Sequence, residues 1–276
     1  MRITQTTTVL SLAIGLGACA GAAASSSPAN SSPASPHPEQ EASAQPSPSA
    51  TEATPPKPAL AESPDAKPKP APGSPLALLM REHFKEAEQI RRAVVSGKPK
   101  DAVQPAAALG GSVDIANLPP TWRVAMERMH TASNRVQNSS DLAETAAGTA
   151  DIGVACGSCH QSQGGPKVAV SEPPAVGESV VSRMARHAWA IERLWEGLYV
   201  PSSAAWKAGA KALQGEPFPS EVLEHGGVYG RTAAKDFKAL SSQASLKETP
   251  KDRAALYAGL LGTCATCHLA TGRGGQ

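Results

Sequence analysis

Two short stretches carry the side chains best suited to chemistry: Cys156-Gly157-Ser158-Cys159-His160 and Cys264-Ala265-Thr266-Cys267-His268. In each, two thiols stand three residues apart, so on a helix they share a face. Each thiol can form a thioether to a vinyl group, and the His that follows can turn its imidazole onto an iron. C-x-x-C-H is the attachment signature of c-type haem. The residues therefore point to two covalently bound haem c groups, with Cys156, Cys159, Cys264 and Cys267 as clamps and His160 and His268 as proximal iron ligands.

Other uses of these cysteines fit less well. A redox CxxC of the thioredoxin kind belongs in a βαβ setting, and no segment here alternates as strands do. A shared zinc site would have to join pairs 108 residues apart that end equivalent repeats. A structural disulfide across a three-residue helical link is strained. With 7 His in 276 residues, a His after both pairs is unexpected from random placement.

The elements that must position these motifs are helices. Ser74-Pro75 is a good N-cap and first-turn pair. After it Leu76, Met80, His83, Ala87, Ile90 and Val94 recur at spacings of four and three, and Ser96-Gly97 ends the run. About 104 residues later Val180, Met184, His187, Ile191, Leu194 and Leu198 repeat the pattern, stopped by Pro201. Ala-Leu-Gly-Gly at 108–111 matches Ala-Leu-Gln-Gly at 212–215, as the ends of short second helices. Third helices are expected over Thr121 to about Asn138, with Trp122, Met126, Met129 and Val136 on one face, and over roughly Arg231 to Ser245, with Ala233, Phe237 and Leu240 inward. Fourth helices start at Ser140-Asp141 and Thr249-Pro250 and run to His160 and His268. The fold class expected is all-α: two tandem four-helix units, 75–165 and 166–276, joined through the Gly- and Pro-containing stretch 164–179.

A motif at the end of the last helix of a four-helix bundle resembles the class II cytochromes c, the cytochrome c-prime family. Each repeat is similar to that family over about 90 residues, in helix order and motif place. It departs after the motif: the family continues the helix with an aromatic and a basic residue, whereas Gln161-Ser162-Gln163-Gly164-Gly165 and Leu269-Ala270-Thr271-Gly272-Arg273 stand here. The resemblance implies that the first helix of each unit covers the distal side of a haem. It thus assigns His83 and His187 as candidate distal iron ligands, pairing His160 with His83 and His268 with His187. Met80 and Met184, one turn away on the same face, are the alternative distal ligands and would raise the potential. A third reading makes all four core residues, with five-coordinate iron. Between 76–96 and 180–200 only Met80/Met184, His83/His187 and Glu88/Glu192 are identical. The two Glu fall off the apolar seam and are expected to be solvated. His130 is expected to be partly exposed, His225 to sit in a turn, and Trp122, Trp189, Trp195 and Trp206 to be packing or haem-contact aromatics.

The chain begins with a targeting pattern. Arg2 supplies a positive start, Val9 to Leu16 a short apolar run, and Leu16-Gly17-Ala18-Cys19 resembles the lipobox of bacterial lipoproteins. The resemblance implies a signal peptide over 1–18, lipidation at Cys19 and, with Ala20 next, an outer-membrane anchor facing the periplasm. Residues 19–74 are rich in Ala, Ser and Pro. Fourteen of the 25 Pro lie between Pro28 and Pro75. Such a segment buries too little apolar surface to order itself and reads as a disordered tether. At about 3.1 Å per residue it could reach roughly 150 Å from its anchor.

Lys plus Arg is 26 and Asp plus Glu is 24, a net charge of +2, which gives no support to nucleic-acid binding. Aromatic residues are only 4%, so the core must come from small aliphatics or from an imported apolar group. The five Cys divide into one lipid anchor and two haem clamps. The function expected is electron carriage by a membrane-anchored dihaem cytochrome with redox partner proteins and no enzymatic role. The alternatives are a five-coordinate gas-binding or gas-sensing protein and, behind it, a dihaem peroxidase.

Overall fold

The computed structural model describes residues 73–214, 218 and 220–272. The expected leader, Cys19 and the expected tether up to residue 72 lie outside the described residues. Among the described residues every regular element is helical.

The first half gives α1 (Pro75–Val95), a 3-10 turn at Pro99–Ala102, α2 (Val103–Gly111), α3 (Pro120–Gln137) and α4 (Leu142–Gln163). The second gives α5 (Val180–Tyr199), α6 (Ser203–Leu213), a short α7 (Ser220–His225), α8 (Gly227–Ala244) and α9 (Pro250–Ala270). Most starts follow from capping. The side chains of Ser74, Asp141, Ser179, Ser202 and Thr249 each accept a hydrogen bond from a backbone N–H of the first turn, satisfying a group the helix itself cannot. Gly97 and Gly164 follow α1 and α4 with φ of 68° and 71°, a left-handed conformation that glycine adopts without steric cost.

Two expectations shift in the second half. His225 closes α7 rather than standing in a turn, and the reversal falls on Gly226-Gly227, where Gly227 has φ 56°. The helix expected from Arg231 therefore starts at Gly227, immediately after that bend.

The described residues fall in one compact unit. α4 and α9, the two helices that carry the motifs, pack on each other. α1 packs on α2, α4 and α9, and α5 packs on α6, α4 and α9, so each first helix touches both motif helices. A single core runs through both halves, with Ile90, Val94 and Ile152 joined to Leu194, Tyr257, Leu260 and Leu261. Most of its members are small or aliphatic, and Trp195, Trp206 and Tyr257 supply the bulk. The Trp206 indole N–H donates to the Ala244 carbonyl at 2.9 Å, which meets the polar requirement of a buried Trp.

Candidate functional site

Both motifs occupy the last turns of their helices, and among the described residues their four cysteines are not joined in disulfides. Burial pushes the Cys156 and Cys264 thiols up to about 12 and raises Cys159 as well, so these thiols are protonated at neutral pH.

The two motif histidines are held in the same way. His160 Nδ1 lies 2.6 Å from the Tyr199 carbonyl oxygen, and His268 Nδ1 lies 3.0 Å from that of Val95. A carbonyl oxygen only accepts, so Nδ1 carries the proton and donates in both. That fixes the tautomer and leaves a lone pair on Nε2, the arrangement usual for a metal-binding His. Tyr199 and Val95 are the last residues of α5 and α1, where carbonyls lack intrahelical partners and the helix dipole is negative. The first motif is thus fixed by the first helix of the second half, and the second motif by the first helix of the first half. Burial lowers the His160 pKa, with the Tyr199 hydrogen bond opposing it.

At the second motif a cavity of about 330 Å³ brings Cys264, Cys267 and His268 together with Met184 and His187. His187 is 7% exposed, and its Nε2 has no hydrogen-bond partner. The ring lies against Phe218 and Phe237, at centroid distances of 5.2 and 4.9 Å. Burial, reinforced by Arg183 and Arg186, lowers its pKa to about 4, so the ring is neutral at pH 7. A buried nitrogen without a partner is costly unless something occupies the space before it. Ala233 and Thr263 line this cavity and also an adjoining hollow of about 560 Å³ beside Asp141 and Tyr229. These volumes lie on the scale of cofactor pockets, roughly 300–1,000 Å³.

The first half differs. His83 is buried, but its Nε2 lies 2.6 Å from the Ser112 hydroxyl. That hydroxyl has one proton, which it donates to the Leu109 carbonyl at 2.8 Å, so His83 Nε2–H is the donor to Ser112. Burial lowers the His83 pKa. Met80 and Met184 are both half-buried. Phe84, next to His83, packs on Tyr199 at 5.3 Å, and Tyr199 in turn meets the His160 ring edge-on at 6.4 Å.

Gly157 makes the first of these arrangements possible. A Cβ built there would stand 2.1 Å from the Leu198 carbonyl oxygen, so only glycine lets the end of α5 approach the motif. Gly157→Ala is expected to cost about 1–3 kcal/mol in denaturant unfolding and to disturb the His160 environment while leaving that of His268 unchanged.

One expectation is overturned. Glu88 and Glu192 are not solvated: both bind Arg91, whose Nη2 lies 2.5 Å from Glu88 Oε2 and 2.6 Å from Glu192 Oε2. The side chains of Glu88 and Arg91 are 16% and 14% exposed, because Arg91 on α1 reaches Glu192 on α5. Arg91 and Glu192 both line the cavity of the second motif. Burial alone would weaken the hold of Arg91 on its proton, but its acidic neighbours and Tyr257 outweigh that and raise its pKa. His130 is half-buried, as expected. Trp195 and Trp206 are core residues, and the Trp189 indole N–H donates to Ser171.

Sequence reasoning missed Arg91, Ser112, Phe218 and the two carbonyls. Arg91 had the only available signal, a basic residue three beyond a Glu on one helix.

Among the described residues no group of three or more His, Cys, Asp or Glu side chains is placed to hold a bare metal ion, and no helix is long and apolar enough to cross a membrane. Comparison with known proteins returned no matching family profile, no matching curated protein and no matching solved structure.

Proposed function

We propose that this chain is a dihaem c-type cytochrome, built from two tandem four-helix repeats, that carries electrons on the periplasmic side of a bacterial membrane. A leader over 1–18, a lipid on Cys19 and a Pro-rich tether would anchor it there, with the outer membrane favoured, and other redox proteins would be its partners. The reading resembles a class II cytochrome c in motif place and helix order.

The observation that carries it is at the second motif. Two thiols on one helix face, a His whose Nδ1 is tied to a carbonyl and a neutral His187 with an unpartnered Nε2 share one cavity. That donor set fits a covalent haem: Cys264 and Cys267 would hold it, and His268 and His187 would be its candidate iron ligands. Cys156, Cys159 and His160 would hold a second haem, with His83 as its distal candidate. Bound haem supplies a one-electron iron couple. The chain's part is to fix the ligands, shield them from water and set the potential.

A second reading has one observation in its favour. His83 Nε2 is engaged by Ser112, so the first haem would be five-coordinate until that bond breaks, as in a gas-binding protein.

Absorption and magnetic spectra of the purified protein test both. The electron-carrier reading expects low-spin bands in both redox states and no shift with carbon monoxide. High-spin ferrous haem that binds carbon monoxide at both sites contradicts it, and turnover of peroxide by the reduced protein would replace it with the peroxidase reading.

A further inference from the structure

The two halves repeat each other, but the charge between them does not. Glu88 and Glu192 occupy equivalent positions of α1 and α5, and both converge on Arg91. The residue equivalent to Arg91, 104 positions later, is Trp195, which is uncharged, 1% exposed and stacked on Tyr257 at 5.7 Å. Among the described residues the equivalent position therefore carries no second guanidinium, although an Arg193–Glu196 pair at 2.6 Å adjoins Glu192 on α5, and Arg91 and Glu192 line the cavity that holds Cys264, Cys267 and His268.

We propose that the Glu88–Arg91–Glu192 cluster sets the reduction potential of the haem at the second motif more strongly than that of the haem at the first, where Glu88 and Glu192 act only through the neighbourhood of Tyr199. This rests on the reading of the motifs as haem clamps. Charges withdrawn from water act strongly over short distances, because little solvent screens them. A carboxylate beside an iron stabilises its oxidised, more positive state, and a guanidinium disfavours it. Arg91 is already shared by two carboxylates, so its geometry is fixed before any haem group approaches. Arg183 and Arg186, flanking His187, add positive charge near the same site, so the cluster acts within a mixed field. The two haems would then hold different potentials, and one electron would pass from the ferrous iron of lower potential to the ferric iron of higher potential, with no bond made or broken.

Potentiometric titration of the full-length, haem-loaded protein tests this. A full-length Cys156→Ser, Cys159→Ser variant, which retains the second motif alone, assigns the two waves. Glu192→Gln is expected to move the second haem's midpoint upward, by at least about twice any movement of the first. Arg91→Gln is expected to move it downward, and Arg91→Lys, which keeps the charge, to restore most of the parent value. Equal shifts of both midpoints, or no shift in a protein that carries both haems with the parent spectrum, overturn the proposal. A chain that carries no haem overturns the reading beneath it and the proposal together.

Discussion

If the chain carries the two haems proposed, replacing His187 with Ala is expected to turn one of them high-spin and leave the other as it was. His187 is the buried imidazole whose Nε2 lacks any partner, in the cavity shared by Cys264, Cys267 and His268. Its removal would free the sixth position of one iron, so the reduced variant should bind one carbon monoxide per chain at that haem. Added imidazole should restore the low-spin bands by filling the space the side chain left. Met184 lines the same cavity and decides the alternative. If Met184→Leu abolishes the low-spin signal and His187→Ala does not, the distal ligand is the thioether. The same burial has a consequence in the haem-free chain. The folded-state pKa of His187, about 4, lies below the ordinary 6.5, so between those values the folded chain takes up fewer protons than the unfolded one. Stability is full above pH 6.5 and declines as pH falls toward 4. His187→Leu should remove that part of the decline in pH-dependent unfolding.

Expressed alone, residues 166–276 are expected to fail to fold cooperatively, although they contain a whole repeat. Ala254, Leu256, Tyr257, Leu260 and Leu261 of α9 belong to a core that also holds Ile90, Val94 and Ile152 of the first half. Exposing one fully buried Leu costs roughly 1.5–3 kcal/mol. Losing the three leucines together costs about 4.5–9 kcal/mol, on the scale of the roughly 5–15 kcal/mol by which domains are usually stable. The fragment also lacks Val95, whose carbonyl holds His268. Thermal unfolding of the fragment should show no sharp transition, and co-expression with residues 75–165 should restore one. A fragment that melts sharply on its own would show that the shared core is dispensable.

The helices were legible because apolar spacing and caps are local. Ser74-Pro75, Asp141, Ser179 and Thr249-Pro250 mark their helix starts by chemistry that depends on a few neighbouring residues. The motifs were legible because thiol spacing and the adjoining His are fixed in the sequence. What each His leans on was not. Tyr199 and Val95 act through backbone carbonyls, which every residue has, so no side chain announces them. The exchange between halves was hidden for the same reason: equivalent repeats pack within themselves or across each other with the same apolar pattern. Glu88 and Glu192 looked solvated because a single helix wheel places them off the seam. Their burial comes from α1 and α5 being bridged by Arg91, a long-range event. Gly157 marks the close approach of α5 in the structure, since a glycine inside a helix has a cost that a close backbone approach can explain.

The most direct test of two covalent haems is the intact mass of the chain purified from a bacterium able to attach haem c. The predicted result is the mature polypeptide plus two haem groups, with Cys156, Cys159, Cys264 and Cys267 all resistant to alkylation under reducing conditions. The polypeptide mass alone, with four thiols that alkylate or two disulfides that reduce, would contradict it.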